Sequence, residues 1–301
     1  MSIPCLIYID ASFMRQVPQL VADCAVKGSL YCLIAISFTL AYSLNKSFQF
    51  TLAAFITLGG YLTLGCEEWL RFPPFVAIAV GLIIVAGLGI SLQSALYSPL
   101  EERDPTRLVV ILASIGAYTI LQNLVSFFWG DELQIFPISN SSWLVFGAHV
   151  TTPRIAICIT AGFCCISLYL LLERTTLGSE IRAVADDRDL ANIFGIPVKN
   201  ILQSVVIASS VIAAFAGVLI GYDEGLQPTM GFEPFLLGIS AAILGGIGSV
   251  PGACCGAFLM SIVEVFGVWK LPTYWQKGLV FTVVCIVIAA RKLPRGRRRM
   301  F

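Results

Sequence analysis

The sequence predicts an all-α fold, a polytopic transmembrane helix bundle of about 8–10 spans. Three observations predict it. Only 12% of the 301 residues are charged and 57% are hydrophobic, about half the charge a soluble domain carries. Mean hydropathy is +0.87. Apolar runs close to the roughly 20 residues that cross a hydrocarbon core recur along the chain, divided by short polar or Pro/Gly turns.

Met1–Ala22 is mixed, holding Asp10, Arg15 and Pro18, and fits a segment lying along the membrane surface. It has no basic residue ahead of a signal-type apolar core, so the first true span serves as the insertion signal. Spans are expected at Cys24–Leu44, Phe48–Gly65, Phe75–Leu96, Leu108–Trp129, Ile155–Leu172 and Ile201–Tyr222. An irregular loop is expected over Gly130–Pro153. Phe235–Gly245 and Gly252–Val268 then form two helices broken by a glycine turn, and Lys277–Ala290 closes the bundle. The whole chain, 1–301, is expected to be one membrane domain, with a polar loop at 174–200 and a basic tail at 291–301.

Lys and Arg set the orientation. The tail carries Arg291, Lys292, Arg295, Arg297, Arg298 and Arg299. With that tail in the cytoplasm, alternation places 13 of the 19 basic residues on the same side, among them Lys46, Arg107, Arg174, Arg182, Arg188 and Lys199. The tail itself reads as an anchor on anionic membrane lipid.

One long polar insertion falls on that side. Leu177–Ile201 holds seven charged residues, with Glu173 and Arg174 just before it. A plain solvated loop has such composition, but this one carries helix signals. Asp187 is placed to cap a short helix and Gly195 to end it in a left-handed conformation. Between them Leu190, Ile193 and Phe194 fall at i, i+3 and i+4, a small apolar face that needs a partner to cover it.

Leu244–Gly256 is the second unusual stretch. Gly245, Gly246, Gly248, Gly252 and Gly256 are dense for a membrane segment, with Gly-x-x-x-Gly spacing at 248/252 and 252/256. Pro251 ends one helix or begins the next. No Lys-Ser/Thr follows, so it is not a phosphate loop. A tightly packed hairpin that helps shape a central pathway is expected.

Chemistry is sparse. Ten cysteines contain no C-x-x-C pair, and most sit in apolar runs, where free Cys acts as a small hydrophobe. Metal sites and catalytic residues are expected to be absent. A net charge of +1 argues against nucleic acid as a partner. Glu67, Glu68, Asp131, Glu132, Asp223, Glu224 and Glu233 fall near the outer face, as solvated loop ends or as contacts for a docking protein. Glu264 lies inside a span and is a candidate pathway carboxylate, about one turn from the end and able to reach water.

Several stretches together resemble the permeases of branched-chain amino acid ABC importers, the H-type subunit most closely. They are GSLYCLIAISFTLAYSL from Gly28, ASIGAYTILQNL from Ala113, AGVLIG from Ala216 and AAILGGIGSVPGACCGA from Ala241. The cytoplasmic pattern R-A-x-x-x-D-x-x-x-A-x-x-x-G-I adds to them, formed by Arg182, Ala183, Asp187, Ala191, Gly195 and Ile196. The resemblance implies a bacterial inner-membrane subunit that works by alternating access. It also implies ATP-binding cassette ATPases that dock through the polar loop and hold ATP and Mg, a second permease, and a periplasmic substrate-binding protein. One stretch departs from the family: an N-F-A-H-G-E-like run is replaced by Gln49–Ala54, without the His and Glu. Related permeases serve urea, amide and sugar importers, which leaves the substrate open. A stand-alone secondary transporter or channel is the rival class, and it would hold ionisable groups near mid-membrane, where these spans hold almost none.

Overall fold

The structure, a computed structural model, describes residues 4–101, 106–136, 142–145, 148–246, 248–270, 278 and 282. Helices α1 (Pro4–Asn45), α2 (Thr51–Glu68) and α3 (Pro74–Leu92) come first. The third runs on through a π-helical turn, Gln93–Tyr97, into α4 (Ser98–Glu101), and α5 (Arg107–Trp129) follows. After a short hairpin come α6 (Thr152–Arg174), α7 (Thr176–Asp186), α8 (Arg188–Ile193), α9 (Val198–Glu224), α10 (Phe232–Gly245) and α11 (Val250–Lys270). Among the described residues six helices are long and apolar enough to cross a membrane: Val17–Asn45, Pro74–Leu100, Arg107–Trp129, Thr152–Arg174, Val198–Glu224 and Val250–Gly267. The protein is a multi-pass membrane protein. The expected closing span at Lys277–Ala290 and the basic tail lie outside the described residues.

Three local expectations change. Residues 4–22 are helical and continuous with the first span, because Pro18 sits inside α1 without ending it, as happens in apolar helices whose neighbours satisfy the freed backbone. The loop before α6 contains an antiparallel hairpin, β1 (Ser142–Val145) with β2 (Ala148–Thr151), in the register Ser142↔Thr151 to Val145↔Ala148. The π-turn in the third span was not legible in the sequence; it brings buried Tyr97 to Thr51, hydroxyl to hydroxyl 2.9 Å.

Burial sorts the helices into core and shell. In its most apolar window α1 is 89% buried, whereas α6 is 11% buried, and all but three residues of α2 are buried. The core is assembled by glycine contacts. A side chain at Gly59 would meet the Ala214 carbonyl, and one at Gly217 would meet the Ile56 carbonyl. Backbones of α2 and α9 therefore touch, the small-residue packing that membrane helices use where burial from water offers no drive. Ser37 Oγ donates to the Ser209 carbonyl at 2.8 Å and ties α1 to α9.

The chain does not run straight from α9 into the next span. It turns at Gly225 (φ +88°) and bridges backbone to backbone between Leu226 and Gln134. It then drops back among the helices, where Leu226 is fully buried and Gly231 N–H donates to Thr57 Oγ1 at 3.2 Å. Thr57 lies within α2, so α10 begins inside the bundle. Its 14 residues give about 21 Å of helix, short of a ~30 Å hydrocarbon core. Irregular backbone at that depth is tolerated because protein surrounds it.

Candidate functional site

The polar insertion is a built structure. Thr175 ends α6 and caps α7: its hydroxyl donates to the Leu171 carbonyl at 2.5 Å and accepts from Gly178 N–H at 3.2 Å. Gly178 presses on the Leu172 carbonyl, which also accepts from the Arg182 guanidinium. Asp187 then closes α7 and caps α8, accepting from Asp189 and Leu190 N–H at 3.0 Å each. Gly195 takes φ +79°, and Ile196 N–H returns to the Ala191 carbonyl at 3.1 Å, the left-handed ending expected of a glycine stop. Arg188 fastens α8 to the end of α1, donating to the Leu44 carbonyl at 2.5 Å and to Asn45 Oδ1 at 3.3 Å.

What this scaffold presents is apolar. Ile193 is 80% exposed, Phe194 77% and Leu190 51%, while Ala191 is buried and Ile196 half-buried. Arg182, Ala183, Asp187, Ala191, Gly195 and Ile196 thus build or support the knob, and three side chains form its tip.

The glycine turn lies beside it. Gly248 and Pro251 line a cavity of about 530 Å³ together with Tyr42, Lys46, Glu173, Arg182 and Asp186. Two stretches far apart in sequence therefore meet at one end of the bundle. Within the turn the glycines divide by role. Gly245 and Gly252 are in backbone contact, and Gly256 meets the Ala241 carbonyl. Gly246 and Gly248 adopt φ +101° and +94°, and a side chain at Gly248 would meet open space. The 248/252 spacing is therefore not a helix-packing motif, because Gly248 precedes α11; conformation, not contact, requires glycine there. The 252/256 pair does pack.

The opposite end carries what sequence reading missed. Lys27 Nζ lies 2.6 Å from Glu264 Oε1, and Tyr31 donates to Glu264 Oε2 at 2.6 Å. Glu264 is 7% exposed, so the carboxylate expected to reach water is buried and bridged instead. Beside it Arg154 pairs with Asp23 and Asp223, each at 2.8 Å. Asp223 is therefore no free loop end, and neither is Glu67, whose Oε1 accepts from Tyr222 at 2.7 Å. Lys27, Tyr31 and Glu264 line a cavity of about 410 Å³ with Glu224, Glu233, Met230 and Leu237, into which the start of α10 opens. Only a Lys and a Glu each one turn inside an apolar run hinted at this pair; 237 positions separate them.

The pair invites a direct test. Removing one partner strands a buried charge, which costs about 3–5 kcal/mol in a fully dry site; Lys27 keeps 32% exposure, so about 1–3 kcal/mol is expected here. Lys27→Met should lower the melting temperature in detergent, and Lys27→Met with Glu264→Leu should recover most of the loss. Additive losses in that double-mutant cycle would show that the two side chains do not interact.

The departing stretch at Gln49–Ala54 is the joint between α1 and α2. Gln49 is buried, and Phe50 N–H donates to Ser114 Oγ at 3.2 Å. It is held by α5 and the π-turn.

Comparison with known proteins agrees in fold and family. The permease protein LivH of the high-affinity branched-chain amino acid transport system of Escherichia coli K12 is 30% identical over 287 residues, covering 89% of this chain and 91% of that one. BraD of Pseudomonas aeruginosa, named for the same kind of system, is 30% identical over 284 residues with the same coverage. The fructose import permease FrcC of Rhizobium meliloti is 28% identical over 244 residues, but only 58% of its length is matched. Among solved structures, PsaBC from Streptococcus pneumoniae in complex with Fab superposes with a TM-score of 0.55 over 96% of this chain and 97% of that chain, at 10% identity, a likeness of fold alone. The family model described as branched-chain amino acid transport system / permease component matches residues 20–289. That match takes in all of the described spans but the first three residues of Val17–Asn45, and the chain belongs to this family of transport permease components.

Proposed function

We propose that the chain is the membrane-spanning permease subunit of an ATP-driven importer of branched-chain amino acids in a bacterial inner membrane. The end bearing α7 and α8 is cytoplasmic, in keeping with Lys46, Arg174, Arg182, Arg188 and Lys199 gathered there. The observation that carries the proposal is the clamped α8 with Leu190, Ile193 and Phe194 uncovered. That tip fits a groove on an ATPase subunit, which holds the ATP and Mg. Arg188 and Thr175 couple any displacement of the tip to α1 and α6. ATPase closure would thus favour one of two permease states, which is what a ligand-driven shift requires. A second permease completes the pathway, and a periplasmic binding protein delivers substrate at the opposite end. There the Lys27–Glu264 pair and the mouth of α10 offer charged groups for a zwitterion and Met230 and Leu237 for an aliphatic side chain.

Affinity purification of the tagged chain from its native membranes tests this. ATPase subunits and a second permease should co-purify, and the complex in proteoliposomes should take up labelled leucine only with ATP. Recovery of the chain alone, or uptake without ATP, would overturn the assignment; ATP-dependent uptake of fructose instead would overturn the substrate.

A further inference from the structure

Three cysteines with no part in that transport cycle converge inside the bundle. Cys32 is on α1, Cys165 on α6 and Cys254 on α11, and their three Sγ atoms all lie within 4.8 Å of one another. Cys32 and Cys165 are 3.4 Å apart, sulfur to sulfur. Cys32 is buried and the other two are half-buried. Small hydrophobic packing alone does not require thiols from three separate helices to meet at one point.

We propose that Cys32, Cys165 and Cys254 form a three-sulfur site for a single soft, closed-shell cation of the Cu(I) class. Size fits: a metal about 2.3 Å from each of three sulfurs in a plane holds them about 4 Å apart, inside the range seen. Donor chemistry fits as well, since an all-thiol set selects soft ions over Mg, Ca or Mn, which want oxygen. Coordination number narrows the choice further. Among the described residues the group offers three sulfurs and no fourth ligand, whereas zinc in structural sites takes four in a tetrahedron; a planar three-sulfur set suits Cu(I), which soft sulfur ligands select. The cysteines bind as thiolates, so binding releases their protons.

The same three helices line a cavity. Tyr169, Pro251 and Thr39 face it beside the glycine turn. Cys165 lies one helical turn before Tyr169, Cys254 about one turn after Pro251, and Cys32 two turns before Thr39, so the sulfurs lie one to two turns along the helices from that cavity. On the orientation proposed above this is the cytoplasmic side, where thiols stay reduced; the binding geometry does not depend on that orientation. A bound ion would fasten α6, which leads into the knob, to α1 and α11, and so raise resistance to thermal unfolding.

The test uses the purified full-length chain in detergent under anaerobic, reducing conditions, titrated with copper as its bicinchoninate complex. One copper per chain should be held, with an all-sulfur shell by X-ray absorption and a higher melting temperature. Cys32→Ser and Cys254→Ser should each lose that copper, while Cys164→Ser, adjacent to the trio but outside it, should keep it. Copper retained equally by all three variants would overturn the site. So would oxygen or nitrogen ligands in the wild-type spectrum, a readout that needs no variant to fold.

Discussion

Phe194→Asp is expected to leave the chain inserted and monodisperse in detergent while abolishing uptake and the recovery of ATPase subunits. Phe194 is 77% exposed and Ile193 80% exposed, so the substitution removes little internal contact. Burying one such side chain against a partner is worth about 1.5–3 kcal/mol, and placing a carboxylate in an apolar groove adds a desolvation cost. A loss of about 2–4 kcal/mol corresponds to roughly 30- to 1,000-fold weaker docking. Phe194→Leu keeps the apolar surface and should retain most uptake. Co-purification of the ATPase together with leucine uptake decides the matter: wild-type values for the Asp variant would sink a docking role for the tip. Arg188→Ala offers a complementary reading, since it frees α8 from Leu44 and Asn45. ATPase should still bind that variant, but transport per ATP should fall.

Gly217→Val is expected to eliminate folded protein. A β-carbon there meets the Ile56 carbonyl, and one at Gly59 meets the Ala214 carbonyl. These neighbours are backbone and cannot rotate aside as a side chain would. Overpacking in an adaptable core costs about 1–3 kcal/mol, and the cost here should exceed that, at least 10 °C or so in melting temperature. Gly252→Val should behave alike through its contact with Gly245. Gly87→Val is the control, because nothing lies within 4 Å of its would-be side chain. Detergent-solubilised yield and melting temperature separate the three, and a stable Gly217→Val protein would show that α2 and α9 are free to part.

How much of this was legible beforehand depended on distance along the chain. Span positions followed from runs of apolar residues, each a local property. The α8 cap was readable because Asp187, Gly195 and the Leu190–Phe194 face lie within nine positions of one another. Tip exposure followed from the same spacing, since a six-residue helix cannot bury both faces. The hairpin in Ser142–Thr151 and the π-turn at Gln93–Tyr97 were not legible, because a strand pair this short and a one-residue insertion in a helix leave no period to detect.

Composition and local patterning by themselves determined that the chain is helical, crosses a membrane repeatedly and carries a capped knob. Those outcomes rest on transfer free energies and capping bonds between near neighbours. Tertiary structure alone decided that Lys27 meets Glu264, that Arg154 joins Asp23 to Asp223, that α10 begins among the helices and that three cysteines share one point. It also decided which glycines are needed for contact and which for conformation: Gly248, spaced like a packing residue, faces open space, while Gly217, assigned no packing role from sequence, sits on a carbonyl. The physical reason is that helix packing brings together residues that no sequence period relates, so a pairing across the bundle exists only once the helices have chosen their neighbours.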